Sequence, residues 1–272
     1  MRRTLRTLDA LAPPLAARLA LSIFRTPRRK QRDQRDHAVM ETAQSVTIRH
    51  DAMPLAGYVW GSGPMVLLAH GWESQASRLS NFVAPLVGQG YRVVAFDGPA
   101  HGASPGKRSD LVDYGRAVAA ALTQLGPATA VIAHSFGGMA TLQALSVLPA
   151  VSIKRAVLLA SPADLHFIIG GFAQTLDLPA RTVRGMKRLI VRRFGRSLED
   201  YSAAVTAASL AVAGLVVHDR DDEVVPFDQG EAIAGAWAGA KLVATTGLGH
   251  RGILRDPTVI EQVVDFIAAP TR

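Results

Sequence analysis

Short apolar runs alternate with segments of helical hydrophobic spacing along most of the chain. Unbroken apolar runs of this length are typical of parallel strands that are buried on both faces. The pattern therefore predicts an α/β fold with a mostly parallel central sheet flanked by helices. Strands are predicted at 65–69, 91–96, 129–133, 153–160, 213–217 and 241–245, and helices near 77–87, 111–125, 136–148, 228–237 and 258–267.

Two intervals depart from this alternation. Residues 46–50 and 55–60 show partial apolar/polar alternation around a short polar link, which predicts a β-hairpin ahead of the parallel strands. Residues 161–212 place about fifty residues between two predicted strands, whereas the median connection has about four to six. Because this interval follows the end of a strand, where open α/β sheets form their ligand crevice, we predict that it folds as a small helical cap.

The length of 272 residues allows a single large core. The predicted division is a basic N-terminal arm (1–37), a first part of the core (38–161), the helical cap (162–212) and a second part of the core (213–272).

The N-terminal arm carries most of the net charge. Residues 1–37 contain ten Lys or Arg and three Asp, a net charge of +7 out of +8 for the chain. The nearly neutral remainder argues against a nucleic-acid groove, and the uncharged runs of the arm are too short to span a bilayer. Pro13 and Pro14, followed by apolar residues at helical spacing, predict a short helix. This helix would either pack on the core, with the arginine-rich segment after it solvated, or lie on an anionic membrane surface.

The chain contains no cysteine. Disulfides, a thiolate nucleophile and zinc-thiolate sites are therefore excluded. We expect a cytoplasmic protein, with peripheral contact to the inner membrane surface through residues 1–37 as the second hypothesis for the arm.

A candidate nucleophile lies between a predicted strand and a predicted helix, in the segment Ala133-His134-Ser135-Phe136-Gly137. A serine at such a sharp turn presents its hydroxyl above the sheet, and the turn requires small residues two positions before and after it. Gly137 meets this requirement, and Ala133 stands where glycine is usual. The alternative is a serine that only caps the following helix.

Other strand ends carry residues that complement this serine. The backbone N–H of Trp72, after His70-Gly71, and that of Phe136 are candidates for an oxyanion hole. The Gly/Pro-rich loop 97–104 is interpreted as structural, with His101 held locally.

A serine nucleophile also needs a neutral imidazole to take its proton and a carboxylate to orient that imidazole. Segment 216–226 ends one strand with four acidic side chains, and His250 follows the next strand between glycines. The acids are Asp219, Asp221, Asp222 and Glu223.

Residues 43–268 resemble the α/β-hydrolase fold superfamily, as a serine esterase or lipase-like member with a helical cap. The order serine, acid, histidine is that of the family's triads. The resemblance implies Ser135 as nucleophile, His250 as general base and then acid, and Asp222 as the orienting carboxylate. It also implies the amides of Trp72 and Phe136 as oxyanion donors. The matching motifs are His70-Gly71, the loop 97–104, Ala133 to Gly137, Asp222 before Val225-Pro226, and His250; Ala133 and Ala100 replace glycines that are frequent in the family.

The acid has alternatives, because Asp219, Asp221 and Glu223 are near neighbours of Asp222 and Asp164 follows an earlier strand. Among the other histidines, we expect His134 to point away from the tip of the turn. We expect His218 to pack within the fold.

The expected reaction is hydrolysis of a carboxylic ester through an acyl-enzyme, without a metal or organic cofactor. The apolar residues of 167–178 favour a small-molecule substrate with an apolar acyl or alcohol group. Thioesterase, lactonase, perhydrolase and peptidase activities would use the same triad. Two further alternatives are a lysophospholipase or lipase at a membrane surface and a non-catalytic binding scaffold.

Overall fold

One mixed sheet organises the molecule. The computed structural model describes residues 1–31, 33–148 and 153–270. Within these residues eight strands form a sheet with the order β1-β2-β4-β3-β5-β6-β7-β8. The strands are β1 (Gln44–His50), β2 (Met53–Trp60), β3 (Met65–Ala69), β4 (Arg92–Phe96), β5 (Ala128–His134), β6 (Arg155–Leu159), β7 (Ala213–Asp219) and β8 (Lys241–Thr245).

The strand directions confirm the predicted architecture. β1 and β2 form the expected antiparallel hairpin, and β2 also pairs antiparallel with β4. All pairings from β4 through β3 to β8 are parallel. Every residue of β3 and of β6 is buried, which explains the apolar runs at 65–69 and 156–159. Arg155, the first residue of β6, donates to Ile267 O at 3.2 Å.

The sheet separates two hydrophobic layers. Neighbouring residues of a strand enter opposite layers, as the pleat requires: Val131 lies in one cluster and Ile132 in the other. Tyr114 and Leu142 belong to the first layer, whereas Phe82 and Val263 belong to the second.

Helices cover both faces, as the alternating pattern predicts. They are α1 (Arg2–Leu11), α2 (Pro13–Phe24), α3 (His37–Glu41), α4 (Val83–Gly88), α5 (Leu111–Gln124), α6 (Phe136–Val147), α7 (Leu165–Leu176), α8 (Ala180–Phe194), α9 (Ala203–Ala208), α10 (Phe227–Ala236), α11 (Gly249–Gly252) and α12 (Pro257–Ala268), with 3₁₀ turns at Gln34–Asp36, Ala76–Phe82 and Glu199–Tyr201. The long interval between β6 and β7 contains α7, α8 and α9, and we refer to it below as the insertion.

The N-terminal segment packs on the insertion. α2 lies against α8, and Leu5 of α1 is fully buried in the main core cluster. The expectation that the arginine-rich segment after α2 is solvated is wrong at Arg25, which is half-buried, whereas Arg29 is exposed. Arg25 forms an ion pair with Asp110 at 3.0 Å, and the guanidinium of Arg29 donates to the carbonyl of Ser104 at 2.7 Å. In the part of the chain that the structure describes, no helix has the length and apolar content needed to cross a bilayer.

Candidate active site

Ser135 occupies a strained turn between β5 and α6. Its φ of 55° and ψ of −128° lie in a region that residues with a side chain rarely adopt. Two hydrogen bonds hold the turn: the N–H of Ser135 donates to Leu159 O at 2.9 Å, and the hydroxyl of Ser161 donates to Ser135 O at 2.7 Å. The side chain of Ser135 does not cap α6, so the helix-cap alternative is wrong.

Close backbone approach explains the small residues around this turn. A Cβ atom at Gly137 would lie 2.4 Å from His70 O, and one at Gly71 would lie 2.9 Å from the Cβ of Ser135. Larger side chains at either position would push the end of β3 away from Ser135. Ala133 is fully buried, so its methyl group is accommodated where glycine is usual.

His250 connects Ser135 to a carboxylate. Nε2 of His250 lies 3.1 Å from the Oγ of Ser135, and Nδ1 lies 2.8 Å from Oδ2 of Asp222. An ionised Asp222 accepts from Nδ1–H, which leaves Nε2 as the acceptor for the serine hydroxyl. The three predicted residues, which follow β5, β7 and β8, are thus brought together at one edge of the sheet.

Asp222 is held as an ionised acceptor. Its Oδ1 accepts hydrogen bonds from the N–H groups of Val224 and Val225, at 2.8 and 2.9 Å. Burial by itself would raise the pKa of Asp222, but the bonds from His250 and from the backbone outweigh it and hold the pKa below its usual value.

The alternative acids have other partners. Asp219 accepts from the hydroxyl of Thr245 at 2.6 Å and from the N–H of Leu248 at 3.1 Å, so it braces the loop that carries His250. Asp221 accepts from the N–H of Gly247 at 2.8 Å. Asp164 accepts from Phe167 N–H at 2.7 Å and caps α7. Glu223 is exposed.

Two backbone N–H groups beside Ser135 are free to bind an oxyanion. Among residues 1–31, 33–148 and 153–270, the N–H groups of Trp72 and Phe136 have no hydrogen-bond acceptor. The two side chains are in edge contact, with ring centroids 5.2 Å apart. Phe136 is the first residue of α6, where orphan N–H groups and the helix dipole favour negative charge.

His134 does not point away from the site, contrary to expectation. Its Nε2–H donates to His250 O at 2.9 Å, and the two imidazole rings are 4.8 Å apart. Burial, together with the neighbouring His250, lowers the pKa of His134 to about 3, so the ring is neutral. The position before the nucleophile therefore supports the backbone of the histidine.

The remaining histidines near the site are packed in the fold. His218 is fully buried, and its Nε2–H donates to Val225 O at 2.8 Å, as expected for a packing residue. His101 donates through Nδ1–H to Pro99 O at 2.9 Å, which agrees with a local role.

His70 has a function that sequence reasoning missed. It donates to Gly71 O at 2.7 Å and accepts from Gly98 N–H at 2.9 Å, and so joins the ends of β3 and β4.

A small polar pocket of about 50 Å³ lies over Ser135. Lys30, from the N-terminal segment, lines this pocket. No local sequence motif predicts this position of Lys30. Glu73 holds this segment in place by accepting from Arg28 at 3.0 Å, with the ammonium of Lys30 at 3.8 Å. The lining residues are Lys30, Gly71, Trp72, Glu73, Ser74, Arg78, His134, Ser135, His250 and Arg251.

One cluster outside the pocket has ligand types suited to a metal. His50, Asp51 and Asp113 bring potential ligand atoms within 4.8 Å of one another. Each carboxylate already has a partner, since Asp113 accepts from His50 at 2.8 Å and Asp51 pairs with Arg116. The three side chains therefore already have partners within the fold.

The chain is similar to known proteins in sequence and in structure. Residues 66–263 match the model of the "Alpha/beta hydrolase family". A non-heme haloperoxidase of Rhodococcus erythropolis is 29% identical over 238 residues, covering 70% of this chain and 87% of the relative. An esterase from Exiguobacterium antarcticum superposes with a TM-score of 0.66 at 18% identity, over 83% of this chain and 100% of its own. A bromoperoxidase from Bacillus anthracis gives 0.63 at 16% identity, over 82% of this chain and 99% of its own. At these identities the two solved structures show the fold alone.

Proposed function

Because the chain belongs to the alpha/beta hydrolase family, we propose that it is a serine hydrolase that cleaves carboxylic esters of small molecules. The observation that carries the proposal is the continuous hydrogen-bonded path from Ser135 through His250 to Asp222, at 3.1 and 2.8 Å. These are the distances that proton transfer from a serine hydroxyl requires.

The reaction follows from the groups present. Ser135 Oγ attacks the ester carbonyl while Nε2 of His250 takes the hydroxyl proton, and Asp222 stabilises the imidazolium that forms. The free N–H groups of Trp72 and Phe136 bind the oxyanion of the tetrahedral intermediate. His250 then protonates the leaving alcohol. Water, deprotonated in turn by His250, attacks the acyl-enzyme and releases the acid.

The test combines a covalent probe with substrate turnover. We expect a fluorophosphonate to label the wild type but not Ser135→Ala, and p-nitrophenyl ester hydrolysis to be lost in Ser135→Ala and His250→Ala. Ser146→Ala is the matched control, because the Ser146 hydroxyl donates to Gln143 O at 2.9 Å within α6 and has no other partner among residues 1–31, 33–148 and 153–270. A folded wild type that neither labels nor hydrolyses esters of any acyl length would favour the binding-scaffold alternative.

A second candidate is halide oxidation, which the similarity to a haloperoxidase favours. The same acyl-enzyme, attacked by hydrogen peroxide instead of water, releases a peracid, and the peracid oxidises bromide to hypobromite as it returns to the carboxylic acid. Bromination of a dye by the wild type with acetate, peroxide and bromide, lost in Ser135→Ala, would support this activity. Bromination that persists in Ser135→Ala would exclude this route.

Three finer expectations stay predictions from the sequence. The first is that the substrate carries an apolar group. Phe172, one of the apolar residues on which this expectation rests, packs against Phe24 within the protein, with ring centroids 5.0 Å apart. A helical cap that selects the substrate is the second, and a cytoplasmic location is the third.

A further inference from the structure

Four arginines surround a depression between α2 and α8, away from Ser135. The depression has a volume of about 300 Å³, and Arg18 from α2 faces Arg181, Arg188 and Arg192 from α8 across it. Pro13, Pro14, Ala17, Gly185 and Leu189 complete its lining. We call this feature the arginine groove.

Small residues at the helix crossing create the groove. A Cβ atom at Gly185 would lie 2.7 Å from the Cβ of Ala17, so the two helices touch at this point. Arg181, Arg188 and Arg192 are spaced by seven and four residues along α8, which places them on one face of the helix. The long arginine side chains therefore stand around a low floor of small and apolar residues.

The charge of the arginine groove is uncompensated. Across the described ranges 1–31, 33–148 and 153–270, none of its four guanidinium groups takes part in an ion pair or hydrogen bond, and all four residues are exposed. Arg181 also lies in the first turn of α8, where the helix dipole disfavours a cation. Arg192 lies in the last turn, where the dipole favours a cation, but helix stability does not explain Arg181 or the gathering of four arginines around one depression. An anionic ligand would explain both.

Exposed apolar side chains accompany the arginines. Leu11 and Leu15, at the junction of α1 and α2, are 80% and 51% exposed, and Val191 of α8 is 37% exposed. Alternating guanidinium and aliphatic groups match the headgroup region of a bilayer, where phosphates lie above acyl chains. A soluble anion would use the arginines but leave these leucines in water.

The helix pair is fixed to the core at the edge that carries Ser135. Arg25, directly after α2, and Arg193 of α8 both bind the carboxylate of Asp110, at 3.0 and 2.7 Å. Asp110 caps α5, which follows the carboxyl end of β4. A surface bound by the helix pair therefore adjoins the same end of the molecule as the candidate active site.

We propose that the arginine groove, with Leu11 and Leu15, docks the protein on a membrane surface of anionic phospholipid. The phosphates bind among the four arginines, and the two leucines enter the interface. This site goes beyond the ester hydrolysis proposed above and does not depend on Ser135.

The test measures sedimentation of the full chain with vesicles of phosphatidylcholine and phosphatidylglycerol at low salt. We expect Arg181→Gln/Arg188→Gln/Arg192→Gln to weaken binding on the order of a hundredfold, since each arginine near an anionic membrane surface contributes about fivefold. The matched control is Lys107→Gln/Lys154→Gln/Lys241→Gln, which removes the same charge from exposed positions elsewhere. It should bind within about threefold of the wild type. Arg188→Gln alone, expected to lose severalfold, replaces the triple variant if that variant does not fold.

Further variants and a soluble anion distinguish lipid binding from the binding of other anions and from catalysis. Leu11→Gln/Leu15→Gln should also weaken vesicle binding, and Ser135→Ala should bind like the wild type. Equal losses in both triple variants, or no binding to anionic vesicles, would overturn the proposal. Pyrophosphate binding that requires the groove arginines, with no vesicle binding, would reassign the site to a soluble anion.

Discussion

Ser135, His250 and Asp222 are positioned by backbone hydrogen bonds as much as by their contacts with one another. Ser135 is tied to Leu159 O, and Asp222 accepts from two amides of its own turn. Asp219 holds the loop before His250 through Leu248 N–H. Since each group is fixed separately, removing one side chain should leave the others in place, which makes single substitutions informative.

Asp222→Asn should lower kcat for ester hydrolysis on the order of 10⁴-fold, because an amide no longer selects the reactive tautomer of His250 or stabilises its charged form. Steady-state kinetics with a soluble ester measure the effect. The control is Asp221→Asn, one residue away, whose carboxylate binds Gly247 N–H at 2.8 Å and should lose less than about threefold. Equal losses in the two variants would contradict the assignment of the acid.

Acidification should destabilise the fold through three buried histidines. Burial lowers the pKa of His70 to about 4. Burial also lowers the pKa of His101 and that of His134 to about 3, with a smaller contribution from the neighbouring His70 and His250, respectively. Their pKa in the unfolded chain is about 6.5, so only the unfolded state gains protons as the pH falls below that value. Their contribution to stability is complete above about pH 6.5, and each should lose about 1.4 kcal/mol by pH 5.5.

Urea unfolding at a series of pH values from 7.5 to 5 measures this loss. His101→Leu should reduce the slope of unfolding free energy against pH by up to about 1.4 kcal/mol per pH unit between pH 6 and 5, because one proton fewer is taken up on unfolding. An unchanged slope in this variant would contradict the neutral state of His101.

At the scale of elements, the crossing of α2 and α8 depends on a glycine. Gly185 lets Ala17 approach closely, and this contact joins the N-terminal segment to the insertion. Helix propensity alone would favour alanine at position 185 by about 1 kcal/mol. The tertiary contact therefore opposes the local preference.

Gly185→Ala should lower stability by about 1 to 2 kcal/mol, because the new methyl group would lie 2.7 Å from the Cβ of Ala17 and must displace α2. Gly170→Ala is the control within α7: no atom lies within 4 Å of its added Cβ, so it should be neutral or stabilise by up to about 1 kcal/mol. Thermal unfolding should therefore show a lower midpoint for Gly185→Ala and an unchanged or higher midpoint for Gly170→Ala, and a stabilised Gly185→Ala would contradict the close approach.

At the scale of the molecule, the N-terminal segment belongs to the folded structure. Leu5 of α1 enters the main hydrophobic cluster, and Lys30, beyond α2, lines the pocket over Ser135. The basic charge that made residues 1–37 look like a separate arm is thus distributed over ion pairs, the candidate active site and the arginine groove.

Leu5→Ala should lower the free energy of unfolding by about 2 to 4 kcal/mol, since the side chain is 0% exposed and its loss leaves a cavity. Leu11→Ala, in the same helix but 80% exposed, should change it by less than about 0.5 kcal/mol. Chemical denaturation measures both. A small effect at Leu5 would mean that α1 contributes nothing to the global stability.

The sequence by itself determined the sheet, the insertion and the chemistry at the strand ends. β3 is apolar throughout, and β6 is apolar after Arg155, because both faces of these strands are buried. The local composition therefore indicates their burial. The turn at Ser135 was predictable because its geometry demands small neighbours within two residues along the chain. Both signals are short-range, so a pattern within a few residues suffices to find them.

Tertiary structure alone decided which distant groups meet. α1 was not predicted, because its one buried leucine is buried by residues far along the chain. The direction of His134 and the place of Lys30 over the pocket depend on residues more than twenty positions away along the chain. Periodicity reports which face of an element is buried, but it carries no information on which other element covers that face. The same reason explains the arginine groove, whose four cations come from two helices that only the fold places side by side.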